Sequence, residues 1–109
     1  MATALLEDFA SIPVLVEMTL GTDRGRWWAD PDFGSDLWIL RQSGKTGPEL
    51  EKDVQREVIR SLSWLKADGL AKEITCETEV AGKNRINYRV MVTKPDGGDE
   101  FVTGVWNGL

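Results

Sequence analysis

Two periodicities divide the chain. At residues 49–66 the apolar side chains Leu50, Val54, Val58, Leu62 and Leu65 recur at spacings of four, four, four and three. That is one face of a 3.6-residue helix, widened by Ile59. Pro48 is placed to open it, and Asp68-Gly69 to close it, with Gly69 free to take the left-handed conformation that ends helices. Glu49, Glu51 and Asp53 near the start and Lys66 near the end suit the helix dipole. From Glu73 onward the period falls to two. Ile74, Cys76, Thr78 and Val80 alternate with Glu73, Thr75, Glu77 and Glu79. Ile86, Tyr88, Val90 and Val92 alternate in turn with Asn87, Arg89, Met91 and Thr93. Gly82-Lys83-Asn84 reads as a hairpin turn between these runs, and Pro95-Asp96-Gly97-Gly98 as a second turn before a strand at about residues 100–106. The pattern predicts a three-stranded antiparallel meander with one apolar face. Val54, Val58 and Leu62 pack on it against Ile74, Val90 and Val92, which makes the fold class α+β.

The first half is less regular. Residues 5–20 are rich in apolar side chains and interrupted by Pro13. Ser11 as N-cap with Pro13 in the first turn predicts a helix ending at Gly21, with Val14, Leu15, Met18 and Leu20 inward. The β-branched cluster at residues 12–16 makes a strand the competing reading. Residues 21–36 carry the turn formers Gly21, Gly25, Asp30, Pro31, Asp32 and Gly34, and read as loop. A short helix at residues 35–41 follows, capped by Ser35 and presenting Leu37, Trp38 and Leu40. A second loop, residues 43–48, leads into the long helix.

Length and composition bound the rest. The 109 residues predict one domain with a modest core, and an apolar fraction of 41% is ordinary for a globular chain. No apolar run approaches the roughly 20 residues that span a bilayer, and no secretory pattern is visible. Cys76 is the lone cysteine, so no internal disulfide forms, which fits a reducing compartment. The balance of 13 basic to 18 acidic residues, a net charge of -5, is opposite to that of a protein built to grip phosphate backbones. Arg24, Arg26 and Arg41 lie close enough in sequence for a local basic patch, though solvated loop charges explain them more simply.

Candidate chemistry is thin. There is no histidine, which removes the commonest general base and zinc ligand. Asp30, Asp32 and Asp36 resemble part of a calcium loop, but Arg41 stands where the closing bidentate Glu belongs, and turn formation accounts for them. Gly44-Lys45-Thr46 ends like a phosphate loop, but Ile39 occupies the position of its first glycine. Glu77 and Glu79 share a polar strand face, where solvation explains the pair. Ser35 and Ser43 have no histidine to activate them. The residues supply no catalytic constellation, no metal site and no cofactor site.

Five tryptophans in 109 residues are the unusual feature. Trp27, Trp28, Phe33 and Trp38 crowd into one stretch together with Arg24 and Arg26, and Trp and Arg are the side chains most enriched at interface hot spots. Trp38 and Trp64, on helices, are read as core. Trp27 and Trp28 are neighbours on an extended segment and face opposite ways, so one of them is read as an anchor for a partner. The predicted docking surface therefore comprises Arg24, Arg26, Trp27, Trp28, Phe33, Gly34, Ser35 and Trp38. Phe33 and Trp38 serve as internal supports, Gly34 supplies backbone freedom, and Ser35 caps the helix carrying Trp38.

The run DRGRWWADPDFGSDLWILRQ, followed by a helix ending SWLKADGLAKEI and three strands, resembles the short baseplate wedge protein of Mu-like contractile phage tails. The resemblance covers residues 21–106. Asp32, Phe33, Gly34, Ser35 and Leu37 also match the Asp-Phe-Gly-Ser-x-Leu loop of a broader superfamily, which includes the sheath-initiating wedge protein of other contractile tails and its type VI secretion counterpart. The resemblance implies a structural subunit of the virion tail, assembled in the host cytoplasm, that contacts larger wedge proteins near the start of the tail sheath. It implies no small-molecule substrate, no membrane and no nucleic acid. Relatives have carried a lysozyme label, and the missing catalytic residues argue against transferring it. The Glu-Pro-Arg that usually follows a Trp at the end of the long helix is absent, since Leu65, Lys66 and Ala67 follow Trp64. The chain starts close to its first helix, which implies that an N-terminal portion of the fuller subunits is short or missing. Two other readings compete: a small regulatory module binding nucleic acid or protein through the Arg/Trp loop, and an enzyme of the lysozyme kind.

Overall fold

A computed structural model describes residues 11–26, 32–82 and 84–108. Helix α1 spans Ile12–Gly21, a 3₁₀ turn spans Ile39–Gln42, and helix α2 spans Gly47–Ala67. Strands β1 (Glu73–Gly82), β2 (Arg85–Thr93) and β3 (Asp99–Asn107) follow, antiparallel in the order β1-β2-β3. The α+β class and the meander are therefore as the two periodicities predict.

Helix α2 forms where the stripe is cleanest. Leu50, Val54, Val58, Leu62 and Leu65 are all buried, in one cluster with Ile74, Cys76, Val90 and Val92 of the sheet. Pro48 sits in the first turn, where its missing N–H costs nothing. Gly69, at φ +77°, closes the other end while the Leu70 N–H donates to the Leu65 carbonyl at 2.8 Å. The expected widening at Ile59 does not occur, because that side chain is exposed and Ser61 is buried in its place. Ile59 lies about 100° around the helix from Val58, beyond the sheet, whereas Ser61 falls inside the stripe and returns its hydroxyl to the Val58 carbonyl at 3.0 Å. Gln55, one turn before Ile59 on the same flank, donates its side-chain N–H to the Cys76 carbonyl at 2.5 Å and ties α2 to β1.

Helix α1 is the helix that Ser11 and Pro13 predict, not the competing strand, but its inner face is different. Leu15, Val16, Thr19 and Leu20 are buried, while Val14 and Met18 face outward. Nearly every position of this helix is apolar, so sequence pattern carries little information about its rotation. Packing against α2 and β3 decides it. Thr19 is accommodated inside by donating its hydroxyl to the Leu15 carbonyl at 2.7 Å.

Both helices lie on one face of the sheet, α2 against β1 and α1 against β3. Ile86, Val102 and Trp106 complete the inner layer. The absence of a side chain at Gly104 leaves room for Tyr88, whose ring would collide with any Cβ there. The opposite face of the sheet, with Glu77, Arg89, Phe101, Thr103 and Val105, is uncovered among the described residues.

Candidate docking loop

The segment between α1 and the 3₁₀ turn is fixed at its base. Asp23 and Ser35 form a parallel bridge, in which the Ser35 N–H donates to the Thr22 carbonyl at 2.8 Å and the Arg24 N–H to the Ser35 carbonyl at 3.0 Å. This approach is possible only because residue 34 is glycine. Gly34 has φ +110°, and a Cβ there would run into the Thr22 carbonyl oxygen and come within 3.0 Å of the Arg24 nitrogen. The backbone freedom expected of Gly34 is thus required by geometry.

Ser35 has a different task from the one expected. Its hydroxyl is buried and donates to the Leu20 carbonyl at 3.0 Å, near the C-terminal end of α1, rather than capping a helix of its own. The expected helix at residues 35–41 shortens to the 3₁₀ turn Ile39–Gln42, with Trp38 at its cap position. The reason is competition for backbone groups. The bridge engages the Ser35 carbonyl, the acceptor that the first α-helical bond would use, and the Ile39 N–H donates to the Asp36 carbonyl at 2.9 Å instead. The Asp36 N–H, which a helix start leaves without an internal partner, is taken by the Glu57 carboxylate at 2.6 Å.

Glu57 is the residue that reading the sequence missed. It accepts from Asp36 of the loop and from Arg60 one turn along α2, at 2.8 Å from Nε and 2.5 Å from Nη2. Burial by itself would raise the Glu57 carboxyl, but the hydrogen bonds from Arg60 and Asp36 and the charges of Arg60 and Arg24 outweigh it and hold the group below its ordinary value. Asp36 in turn pairs with Arg24 at 3.2 Å. In the sequence, Glu57 and Arg60 look like an ordinary surface pair on a helix. Only the placement of Glu57 at the flank of the apolar stripe marks it.

The aromatic residues divide. Phe33 is 5% exposed and meets Trp64 of α2 with ring centroids 5.9 Å apart and planes at 56°, so it is the internal support expected. Trp64 donates its indole N–H to the Thr19 hydroxyl at 3.1 Å, joining α2 to α1. Trp38, expected inside, is 39% exposed, since it precedes a 3₁₀ turn and does not sit on a helix face turned toward the core. Trp106 takes the interior place at this end of the loop and donates its indole N–H to the Leu37 carbonyl at 2.9 Å. Trp27, Trp28 and Asp30 lie outside the described residues.

Each of the three arginines is engaged. Arg24 is paired with Asp36, Arg26 lies 4.0 Å from Asp23, and Arg41 donates to the Asn107 carbonyl at 3.0 Å. Lys45, of the sequence that ends like a phosphate loop, pairs with Asp53 at 2.9 Å. Among the described residues, no group of three or more His, Cys, Asp or Glu side chains is arranged to hold a metal ion, and no helix is long and apolar enough to cross a membrane.

Comparison with known proteins adds a lineage to this geometry. Residues 7–99 match the family described as phage protein GP46. The chain belongs to the GP46 family. It is similar to the Mu-like prophage FluMu protein gp46 of Haemophilus influenzae, with 30% identity over 94 residues that make up 82% of this chain and 68% of that protein. The GP46 fold is also found in the crystal structure of a Geobacter sulfurreducens protein provisionally described as a tail lysozyme. The TM-score is 0.66, with 94% of this chain and 90% of that one covered. The 17% identity of that pair speaks to the fold alone. The phage origin and the Mu-like kinship expected from the loop motif are thus established.

Proposed function

We propose that this GP46 protein is a structural subunit of a phage tail baseplate, assembled in the host cytoplasm and carried in the virion tail. In this reading it docks to larger wedge proteins, near the sheath, through the loop from Arg24 to Trp38. One observation carries the proposal: the two legs of a segment whose sequence is conspicuously aromatic are held together at their base by directed contacts. The Asp23–Ser35 bridge, the close approach at Gly34 and the Glu57 carboxylate all act on the two legs of the loop. Residues 27–31, with both adjacent tryptophans, join those legs in sequence. A pre-shaped loop loses less conformational entropy on docking than a loose one. The prophage relative, and the word "tail" in the description of the structural neighbour, support the setting.

The test is to change Trp27 and Trp28 separately to Ala, and to measure melting temperature together with co-purification of neighbouring tail subunits. Truncating a central interface tryptophan typically costs about 2 kcal/mol or more of binding. The expected outcome is one variant that keeps its melting temperature and loses its partner. If each change either unfolds the protein or leaves assembly intact, the docking surface lies elsewhere. The same reading gives the chain no catalytic role, in keeping with a sequence that has no histidine. Purified protein is expected to release no soluble fragments from peptidoglycan; release abolished by changing one Asp or Glu would overturn that.

A further inference from the structure

The two edges of the sheet are built differently. The β1 edge carries Glu73, Glu77 and Glu79, all exposed, and its register slips between Val80 and Gly82. Charged side chains and irregular pairing are the devices that keep a sheet edge from accepting another strand. On β3 the charges are confined to its first two residues, Asp99 and Glu100, and the pairing is regular. From Phe101 to Asn107 it contains no charged residue and no proline, its register with β2 is unbroken, and Phe101 and Val105 are each 49% exposed.

The phase of the ladder shows which β3 groups are free. Lys94 N–H donates to the Gly98 carbonyl and Gly108 N–H to the Asn84 carbonyl, each at 2.7 Å. These two bonds bracket the β2–β3 register, and hydrogen-bonded pairs alternate with unbonded ones between them. The bonded positions of β3 are therefore Glu100, Val102, Gly104 and Trp106. Asp99, Phe101, Thr103, Val105 and Asn107 turn their N–H and C=O groups away from β2. The Asn107 carbonyl, which Arg41 reaches from outside the sheet, agrees with that phase. Among the described residues, no other hydrogen bond is made to this row.

We infer that β3 is a self-pairing edge whose partner is β3 of a second copy of this chain, antiparallel about a two-fold axis at Thr103. The strand is complementary to its own reverse. With Thr103 opposite Thr103 of the second copy, Phe101 faces Val105 and Val105 faces Phe101, an aromatic–β-branched pair repeated by symmetry. Each of these pairs exchanges two backbone hydrogen bonds, using the groups that β2 leaves free. At both ends Asp99 meets Asn107 and the Arg41 guanidinium bound to it, so an acid is brought to a base and no like charges confront each other. The combined sheet then ends on two glutamate-bearing β1 edges, which stops growth at the dimer.

Analytical ultracentrifugation of the full chain over a concentration series tests this. Reversible association that stops at two copies is expected. Thr103→Pro removes one outward N–H at an edge position where proline is tolerated, and is expected to lower the association constant tenfold or more while leaving the melting temperature nearly unchanged. Thr103→Cys reads the register. Bonded antiparallel partners lie about 5.5 Å apart at Cα, within disulfide range, so mild oxidation is expected to link Thr103→Cys chains in pairs and to leave Val105→Cys chains unlinked. Cys76 does not interfere, because it is buried and its thiol is pushed up to about 11 by that burial and by Glu77. A chain that stays monomeric up to about 1 mM, growth beyond the dimer, or equal cross-linking of the two cysteine variants would each overturn the inference. None of these variants touches the loop proposed to dock to wedge proteins, so the two ideas fail separately.

Discussion

Where α2 meets the sheet, position is set by area. Val54, Val58 and Leu62 lie against Ile74, Val90 and Val92 with almost no solvent contact, and each contributes through undirected burial. Among the described residues of the loop at 22–38 only Phe33 and Leu37 are buried hydrophobics, and position is set by direction: a bridge, a hydroxyl on a helix carbonyl, a carboxylate on a backbone N–H. The contrast teaches how a small protein can spend its one core on the scaffold and still fix the base of a loop. Directed bonds fix geometry at modest net stability, because each replaces a bond to water.

The largest expected effect tests the first half of that contrast. Val58→Asp places an unpaired carboxylate in the helix–sheet layer and is expected to cost several kcal/mol, a large part of the roughly 5–15 kcal/mol that stabilises a domain. Thermal unfolding measures it, and a melting temperature like that of the native chain would mean that α2 is docked on another face. Gly34→Ala tests the second half. Its positive φ and the encroachment on Thr22 predict a loss of about 1–3 kcal/mol. Hydrogen exchange is expected to quicken at residues 22–36 and to stay slow in β2. If β2 loosens equally, loop and core are one cooperative unit and the comparison breaks down.

Glu57→Gln sharpens the comparison through pH. The folded carboxyl is held below its ordinary value of 4.5, so its contribution is present above the unfolded pKa and is lost as pH falls through the folded one. The native chain is therefore expected to lose stability on acidification below about pH 4.5, and the variant to show a shallower acid limb at a cost of about 1–2 kcal/mol near neutrality. An unchanged acid limb would remove Glu57 from the loop's support. The smallest effect belongs to Trp64→Phe, which keeps a ring against Phe33 and removes only the donor to Thr19. About 1 kcal/mol is expected, read from denaturant midpoints.

The same division explains what was legible in the sequence. The α2 stripe and the three alternating strands appear because burial imposes a period, and period is visible in a string of residues. Helix α1 was legible in its boundaries, through Ser11 and Pro13, but not in its rotation, because it is apolar nearly all round. In the loop, Gly34 and Phe33 were legible by residue type. The true task of Ser35 and the role of Glu57 were not, since both depend on a partner 15 or 21 residues away that no local pattern encodes. Trp38 was misplaced for the same reason: the Ser35 carbonyl that would open its helix accepts from Arg24 across the bridge.

The indole of Trp106 reaches the Leu37 carbonyl across 69 residues of sequence. That span sets an order of events during synthesis. At about 5–20 residues per second, the donor leaves the ribosome roughly 3–14 s after its acceptor. Throughout that interval the loop can close its own base but not rest on the last strand, and the inner end of the segment has no support from the sheet. If the loop docks to wedge proteins as proposed, a partner that reads the finished loop meets its target only on chains that have completed β3.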